Sequence, residues 1–199
     1  MPNGKIVEIR WHARGGQGAV IASRFLAASA LRDNLYFQAV PQFGTERMGA
    51  PIVAYTRLSE EPIDLRCAIN EPDVVVVLDP TLLSVVDVTS GLKKGGVLIV
   101  NYPGSPADLA KEAGIDLGMY KVHTIDATKI STEELGRPIP NTPMVGALAK
   151  CLGMIALDNI LAEFEVSLTE RFKGRGNVEK LVQGNLRAVK RAYEEVQAS

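Results

Sequence analysis

Asp73-Val74-Val75-Val76-Val77-Leu78-Asp79 is the stretch of sequence that most narrows the choice of fold. It places an unbroken apolar run, mostly β-branched, between two aspartates. A strand that is apolar on both sides is typical of a parallel sheet covered by helices on both faces. Residues 96–101 repeat the pattern with Val97-Leu98-Ile99-Val100. The sequence therefore predicts at least two buried parallel strands.

Strand and helix patterns alternate on either side of these two runs. The predicted strands are residues 5–11, 35–40, 52–58, 73–79, 96–101 and 121–126. The predicted helices are residues 19–32, 80–92, 106–113, 128–135, 143–163 and 178–196. Such alternation predicts an α/β protein, a three-layer Rossmann-like, mostly parallel sheet with helices on both faces. Since no linker composition interrupts it, we expect a single domain over residues 1–199.

The predicted helix over residues 143–163 is apolar on most sides, with Thr142 as its expected N-cap. Its small residues fall on one stripe at spacings of three and four, and Gly146 and Gly153 belong to that stripe. Small residues let another backbone approach closely. An all-round apolar helix is buried, either in the core or against a partner chain.

Composition excludes several functional classes. The chain has 199 residues, of which 46% are hydrophobic, and its 22 basic and 23 acidic residues leave a net charge of -1. That balance favours neither nucleic acid nor a membrane surface as a partner. The first residues do not form a signal-peptide pattern, and no apolar run reaches the length of a membrane span. We expect a cytoplasmic protein.

The two cysteines, Cys67 and Cys151, are too few for an iron–sulfur cluster and are expected to be reduced and mostly buried. His12 and His123 lack metal-ligand spacing, so no metal site is predicted. No nucleophile–base motif occurs. The sequence indicates a chain that binds and positions a ligand, and any redox centre must lie on another chain.

Arg14-Gly15-Gly16-Gln17-Gly18 lies between the first predicted strand and the first predicted helix. Glycines there let the backbone approach an anion, and the N–H groups at the helix start point at it. The stretch departs from a dinucleotide fingerprint, because position 13 is alanine and the second strand ends without an acidic residue. A tight turn that only packs helix against strand is the alternative.

Residues 41–51 form a second candidate segment, expected at the carboxyl end of the second strand, where doubly wound sheets bind ligands. Gly44, Glu46 and Arg47 in it are suited to gripping an anionic group or to capping the surface of a partner. A solvated loop with a local ion pair is the alternative.

Three further polar residues have two readings each. Asn141, before a predicted helix, is either a ligand group or a turn residue. Asp79 ends a strand at the expected ligand edge, but an aspartate before a proline also suits a helix cap. His12 precedes the glycine turn and is either a ligand contact or a structural residue at a strand end.

Residues 11–19, 41–51 and 141–147 together resemble the gamma subunit of pyruvate:ferredoxin oxidoreductases and related 2-oxoacid enzymes. The similarity runs from about residue 5 to about residue 195 in the same order and spacing. The family's turn usually reads Gly-Arg-Gly-Gly-Gln-Gly, and Ala13 replaces the first glycine. Its second signature resembles Phe-Gly-Pro-Glu-Arg-Arg-Gly-Ala-Pro, where this chain has Thr45 and Met48.

The resemblance implies a complex that converts a 2-oxoacid, most closely pyruvate, and coenzyme A into acyl-CoA and carbon dioxide while reducing ferredoxin. It implies alpha, beta and delta subunits that carry thiamine diphosphate, Mg²⁺ and [4Fe-4S] clusters, with no such cofactor on this chain alone. It also implies that the gamma part borders the coenzyme A site. The residues carried over as cofactor-binding are Arg14, Gly15, Gly16, Gln17, Gly18, Gly44, Glu46, Arg47 and Asn141. A purely structural scaffold subunit and a free-standing nucleotide-binding oxidoreductase are the alternative functions.

Overall fold

In the computed structural model, the described residues are 6–42, 48–174 and 176–199. Within them, seven strands form one sheet in the order β2-β3-β1-β4-β5-β6-β7. The strands are β1 (Val7–Arg14), β2 (Tyr36–Gln42), β3 (Pro51–Ser59), β4 (Val74–Val77), β5 (Val97–Asn101), β6 (Lys121–Ile125) and β7 (Gln197–Ala198). The helices are α1 (Ala19–Ala30), α2 (Pro106–Ala113), α3 (Ala127–Leu135), α4 (Asn141–Leu152), α5 (Leu157–Arg171) and α6 (Val178–Glu195).

The centre of the sheet is parallel, because β1, β4, β5 and β6 pair side by side in the same direction. β3 runs antiparallel to both β1 and β2, and β7 runs antiparallel to β6. β2 and β3 are joined by residues 43–50 alone, which is too short for the crossover that a parallel neighbour requires. The predicted α/β class and the mostly parallel sheet are confirmed.

Side chains of β4 show why its sequence is apolar throughout. Val74 and Val76 belong to the core cluster on one face of the sheet, which contains α1, α4, α5 and α6. Val75 and Val77 belong to the cluster on the other face, which contains α2. All four side chains are at most 3% exposed. The predicted three layers are therefore present.

The predicted helix over residues 143–163 is wrong as one element, since α4 and α5 are separate. Gly153 ends α4 in the left-handed conformation, with φ of 62°, and the chain turns before α5 begins at Leu157. Gly146 lies where α4 crosses α6, and a Cβ atom built on it would be 2.2 Å from the carbonyl oxygen of Val189. At Gly146, the small-residue stripe of α4 therefore lets α6 of the same chain pack closely.

Thr142 is not the N-cap of α4, because α4 begins at Asn141 after Pro140. The Thr142 hydroxyl donates instead to Oδ1 of Asn185 on α6, at 2.9 Å. The first strand was also placed too early, since β1 extends to Arg14 and includes Ala13.

The predicted helix over residues 80–92 is reduced to a short 3-10 helix, Pro80–Ser84. The Asp87 carboxylate accepts a hydrogen bond from the backbone N–H of Thr89, which favours a local turn over helix. Cys67 is exposed, so the expectation of two mostly buried thiols is wrong for that residue. Cys151 is partly buried, and burial raises the pKa of its thiol to about 12.

Candidate functional site

The glycine turn joins the carboxyl end of β1 to α1. Gly16 and Gly18 adopt positive φ values of 97° and 81°, a conformation that side-chain-bearing residues rarely take. The backbone N–H of Arg14 donates to Oε1 of Gln17 at 2.8 Å, and the N–H of Gln17 donates to the carbonyl of Arg14 at 3.1 Å. These two hydrogen bonds therefore join Arg14 to Gln17 and close the turn before α1 begins.

Backbone hydrogen bonds also hold the turn against the start of β3. The N–H of Gly15 donates to the carbonyl of Ala50 at 2.9 Å, and the N–H of Gly49 donates to the carbonyl of Gly15 at 3.1 Å. Residues 48–50, the described end of the second candidate segment before β3, thus lie beside the turn. Gly44, Glu46 and Arg47 fall outside the described residues.

Arg14 and Gln17 reach the next strand along the ligand edge, at Asp79 after β4. Nε2 of Gln17 donates to Oδ2 of Asp79 at 2.7 Å, and Nε of Arg14 lies 3.3 Å from the same oxygen. Nη2 of Arg14 also donates to the hydroxyl of Thr81 at 2.8 Å. Two of the predicted ligand side chains are therefore engaged in fixing the turn to the sheet.

Asp79 is the acceptor at the centre of this network and also caps the 3-10 helix through the backbone N–H of Thr81. Partial burial acts to raise its pKa, but hydrogen bonds from Thr81 and Gln17 and the charge of Arg14 outweigh burial and lower it. The carboxylate therefore stays ionised and holds the turn. The two alternatives for Asp79 are therefore not exclusive, because the residue caps the 3-10 helix and also lies at the sheet edge where a ligand is expected.

Asn141, the first residue of α4, lies directly beside the glycine turn. A Cβ atom built on Gly18 would be 2.6 Å from Nδ2 of Asn141. The Asn141 amide makes no hydrogen bond with another described residue, so its donor and acceptor atoms stay available. Folding thus brings the first and third predicted segments into contact.

A cavity of about 650 Å³ opens beside the turn and the amide. This volume lies within the range of about 300–1,000 Å³ that small-molecule sites occupy. Its wall includes Gly16, Gly18 and Asn141, and the apolar part of that wall comes from the helical layer. The other lining residues are Ile21, Phe25, Glu133, Glu134, Leu135, Gly136, Arg137, Ile139, Thr142, Leu168, Arg171, Phe172, Gly176, Asn177, Lys180, Leu181 and Asn185.

The first residues of three helices, α1, α4 and α6, contribute to this wall. None of the three has a hydrogen bond from a capping side chain to its first turn. Of the helix starts that lie elsewhere, those of α2 and α3 are capped by Ser105 and Asp126, whereas that of α5 is also uncapped. Uncapped helix starts leave backbone N–H groups for an outside acceptor and carry a partial positive charge. The cavity is therefore suited to an anionic ligand with apolar parts.

Residues 8–195 match the sequence pattern of a known family, described as pyruvate ferredoxin/flavodoxin oxidoreductase. The chain belongs to the pyruvate ferredoxin/flavodoxin oxidoreductase family. The resemblance to the gamma subunit of 2-oxoacid:ferredoxin oxidoreductases is confirmed by relatives of nearly the same length. The pyruvate/ketoisovalerate oxidoreductases common subunit gamma of Pyrococcus abyssi is 43% identical, over 96% of this chain and 98% of the relative.

Two solved structures share the fold of this chain. The crystal structure of pyruvate oxidoreductase subunit PORC from Thermotoga maritima is 40% identical with a TM-score of 0.82, covering 98% of this chain and 99% of that one. The 2-oxoglutarate:ferredoxin oxidoreductase from Magnetococcus marinus, solved with 2-oxoglutarate, coenzyme A and succinyl-CoA bound, has a TM-score of 0.73. At 20% identity, over 96% of this chain and 31% of that chain, the latter shows the fold alone.

His12 is a buried structural residue of this family member and does not line the cavity. Nε of Arg10 donates to its Nε2 at 3.0 Å. Burial, and next the charge of Arg10, lower the pKa of His12 to about 4. The imidazole is therefore neutral near pH 7 and accepts the arginine hydrogen bond.

The helical wall of the cavity was missed by the sequence analysis. Arg137 follows α3, Arg171 ends α5 and Lys180 lies in α6, and no spacing or motif links them before the chain folds. The described residues contain no cluster of three or more His, Cys, Asp and Glu side chains able to hold a metal ion. No helix in the described part of the chain is long and apolar enough to cross a membrane.

Proposed function

We propose that this chain is the gamma subunit, one domain over residues 1–199, of a multisubunit 2-oxoacid:ferredoxin oxidoreductase that works in the cytoplasm. The complex oxidatively decarboxylates a 2-oxoacid, with pyruvate as the proposed substrate. Coenzyme A accepts the acyl group, carbon dioxide leaves, and two electrons pass to ferredoxin. The partners are alpha, beta and delta subunits, which carry thiamine diphosphate, Mg²⁺ and the [4Fe-4S] clusters.

We assign to this chain the binding of part of coenzyme A. The observation that carries the assignment is the cavity beside Gly16, Gly18 and Asn141, where uncapped helix starts meet apolar side chains. Coenzyme A combines an anionic pyrophosphate with an adenine and a flexible arm. Its site therefore needs N–H donors for the pyrophosphate and apolar surface for the rest. The coenzyme A in the Magnetococcus marinus structure supports the class of ligand, and the turn geometry supports its place.

The residues proposed as coenzyme-binding have different roles. Gly16 and Gly18 let the backbone approach the pyrophosphate, and Asn141 offers its free amide. Gly15, whose N–H donates to the Ala50 carbonyl, holds the turn in place beside residues 48–50. Arg14 and Gln17 hold the turn in shape through Asp79. Gly44, Glu46 and Arg47, outside the described residues, complete the proposal from the sequence alone.

Binding energy from coenzyme A remote from its thiol can position that thiol at the reacting carbon on another subunit. A subunit that only binds and orients a co-substrate can raise the rate in this way. The chain's own contribution is thus to bind and orient the coenzyme.

Gly18→Ala in the assembled complex tests this function, because the added methyl would overlap the Asn141 amide. We expect at least about a tenfold rise in the KM for coenzyme A, equivalent to about 1.4 kcal/mol of binding, with the KM for the 2-oxoacid unchanged. Gly95→Ala is the matched control, since Gly95 has a similar φ of 74° but nothing within 4 Å of an added Cβ. Unchanged coenzyme A kinetics in Gly18→Ala would favour the scaffold function.

A further inference from the structure

Three cations from distant parts of the sequence line the cavity besides the glycine turn. Arg137 follows the C-terminus of α3, Arg171 ends α5, and Lys180 lies in the first turn of α6. Among the described residues, none of the three has a carboxylate partner, and the guanidinium of Arg171 lies over the ring of Phe172, 5.9 Å from its centroid. Three unpaired cations on one cavity wall create a positive potential that attracts an anion.

Helix stability accounts for only part of this arrangement. Arg171, in the last turn of α5, and Arg137, just beyond α3, lie where a helix dipole favours positive charge. Lys180 lies at the opposite kind of position, because the first turn of a helix disfavours a cation. Helix stability therefore does not explain why a lysine occupies position 180 on the cavity wall.

The two carboxylates on the same wall, Glu133 and Glu134, pair with arginines other than the three cations, and one of these arginines, Arg191, also pairs with Glu195 at 2.9 Å. Nη1 of Arg191 lies 2.8 Å from Oε2 of Glu133 and 3.0 Å from Oε1 of Glu134. Nε of Arg187 lies 2.7 Å from Oε2 of Glu134, and its hydrogen bond lowers the pKa of that carboxyl despite partial burial. Glu133 and Glu134 therefore do not pair with Arg137, Arg171 or Lys180.

We infer that Arg137, Arg171 and Lys180 form a subsite for a phosphate monoester, which in coenzyme A is the 3′-phosphate of the adenosine. This inference rests on the proposed function. Coenzyme A carries two kinds of phosphate: a pyrophosphate with one charge on each phosphorus, and a monoester with nearly two charges at pH 7. Neutral N–H groups of the turn suit the first, and charged side chains suit the second.

Dephospho-coenzyme A, which lacks only the 3′-phosphate, isolates this contact. In the assembled wild-type complex, kcat/KM for coenzyme A should exceed that for dephospho-coenzyme A by at least about tenfold, the effect of one charge-assisted hydrogen bond. Lys180→Met and Arg171→Met should each shrink this ratio toward one, because each should lower kcat/KM for coenzyme A more than kcat/KM for dephospho-coenzyme A. Lys190→Met, an exposed change on α6 away from the cavity, should keep the wild-type ratio.

The outcomes separate the subsite from the proposed function. A wild-type ratio near one, or a ratio that survives in the Lys180→Met, Arg171→Met double variant, overturns the subsite. If Gly18→Ala raises the KM for coenzyme A in that same case, the proposed function stands without the subsite. The double variant could instead lose the ratio while Gly18→Ala keeps normal coenzyme A kinetics. That result would support the subsite and would contradict the proposed contact between the glycine turn and coenzyme A.

Discussion

Arg10 and His12 are buried next to each other on β1, and their contact fixes the charge state of the histidine. Both side chains are less than one-tenth exposed, and Nη2 of Arg10 also donates to the carbonyls of Val88 and Ser90. A charged imidazole there would lose its role as acceptor and would face a guanidinium. The pair is therefore stable only while His12 is neutral.

We predict that His12 makes the chain less stable as the pH falls. Its folded-state pKa is about 4, below the value of about 6.5 in an unfolded chain, so the unfolded state binds more protons between these values. The contribution of the neutral imidazole to the free energy of unfolding is fully present above pH 6.5. It is lost as the pH falls toward 4, and the loss amounts to at most about 3 kcal/mol. Denaturant unfolding of the full chain at pH 7 and pH 4.5 measures the slope.

His12→Gln keeps an acceptor for Arg10 without the titration, so most of the slope should disappear in this variant. His123→Gln is the comparison variant, since burial also lowers the pKa of His123, and it should remove a smaller part of the slope than His12→Gln. A wild-type slope in His12→Gln would assign the pH dependence to other groups.

The glycine turn shows how far single residues can be read from sequence. The need for glycine at positions 16 and 18 was predictable, because the strand–turn–helix pattern implies a special backbone conformation there. That Arg14 and Gln17 bind Asp79 was not, since Asp79 is 62 residues from Gln17 and no sequence pattern joins them. Charged side chains near a turn have many possible partners, and only the folded sheet selects one.

At the scale of elements, the crossing of α4 and α6 depends on one glycine. We predict that Gly146→Ala destabilises the full chain by about 1–3 kcal/mol, although alanine is the better helix former by about 1 kcal/mol. The added methyl would lie 2.2 Å from the Val189 carbonyl oxygen, so the two helices would have to move apart. Denaturant unfolding followed by far-UV circular dichroism measures the loss.

Gly176→Ala is the control, because an added Cβ meets nothing within 4 Å and the backbone φ there is not positive. Its effect should stay within about 0.5 kcal/mol of wild type. Equal stabilities of the Gly146→Ala and wild-type chains would mean that α4 and α6 pack less closely than described.

Local signals decided which elements were predicted correctly. The helix over residues 106–113 matches α2, whose start is marked by the Ser105 capping box with Asp108 and whose end is marked by Gly114. The break between α4 and α5 was missed because Gly153 also fits the small-residue stripe. The sequence alone does not distinguish a glycine that ends a helix from a glycine that packs within one, because tertiary contacts determine which role it has.

At the scale of the whole molecule, one sheet serves two cores. Leu98 and Ile99 are neighbours on β5, fully buried, and belong to the clusters on opposite faces. The order of the sheet could not be read from the sequence, because β7 is only two residues long and joins β6 from the far end of the chain. The shared sheet makes each core depend on the other.

We therefore predict that Leu98→Ala and Ile99→Ala each destabilise the entire chain in a single transition, by about 2–5 kcal/mol. Trp11, the one tryptophan, lies in the same cluster as Ile99, so its fluorescence reports that face, whereas far-UV circular dichroism reports all helices. Both signals should change at the same denaturant concentration in both variants, as expected for a single domain. An early loss of helix in Leu98→Ala with unchanged Trp11 fluorescence would show instead that the α2 face unfolds independently, and the proposed domain would then consist of two cooperative units.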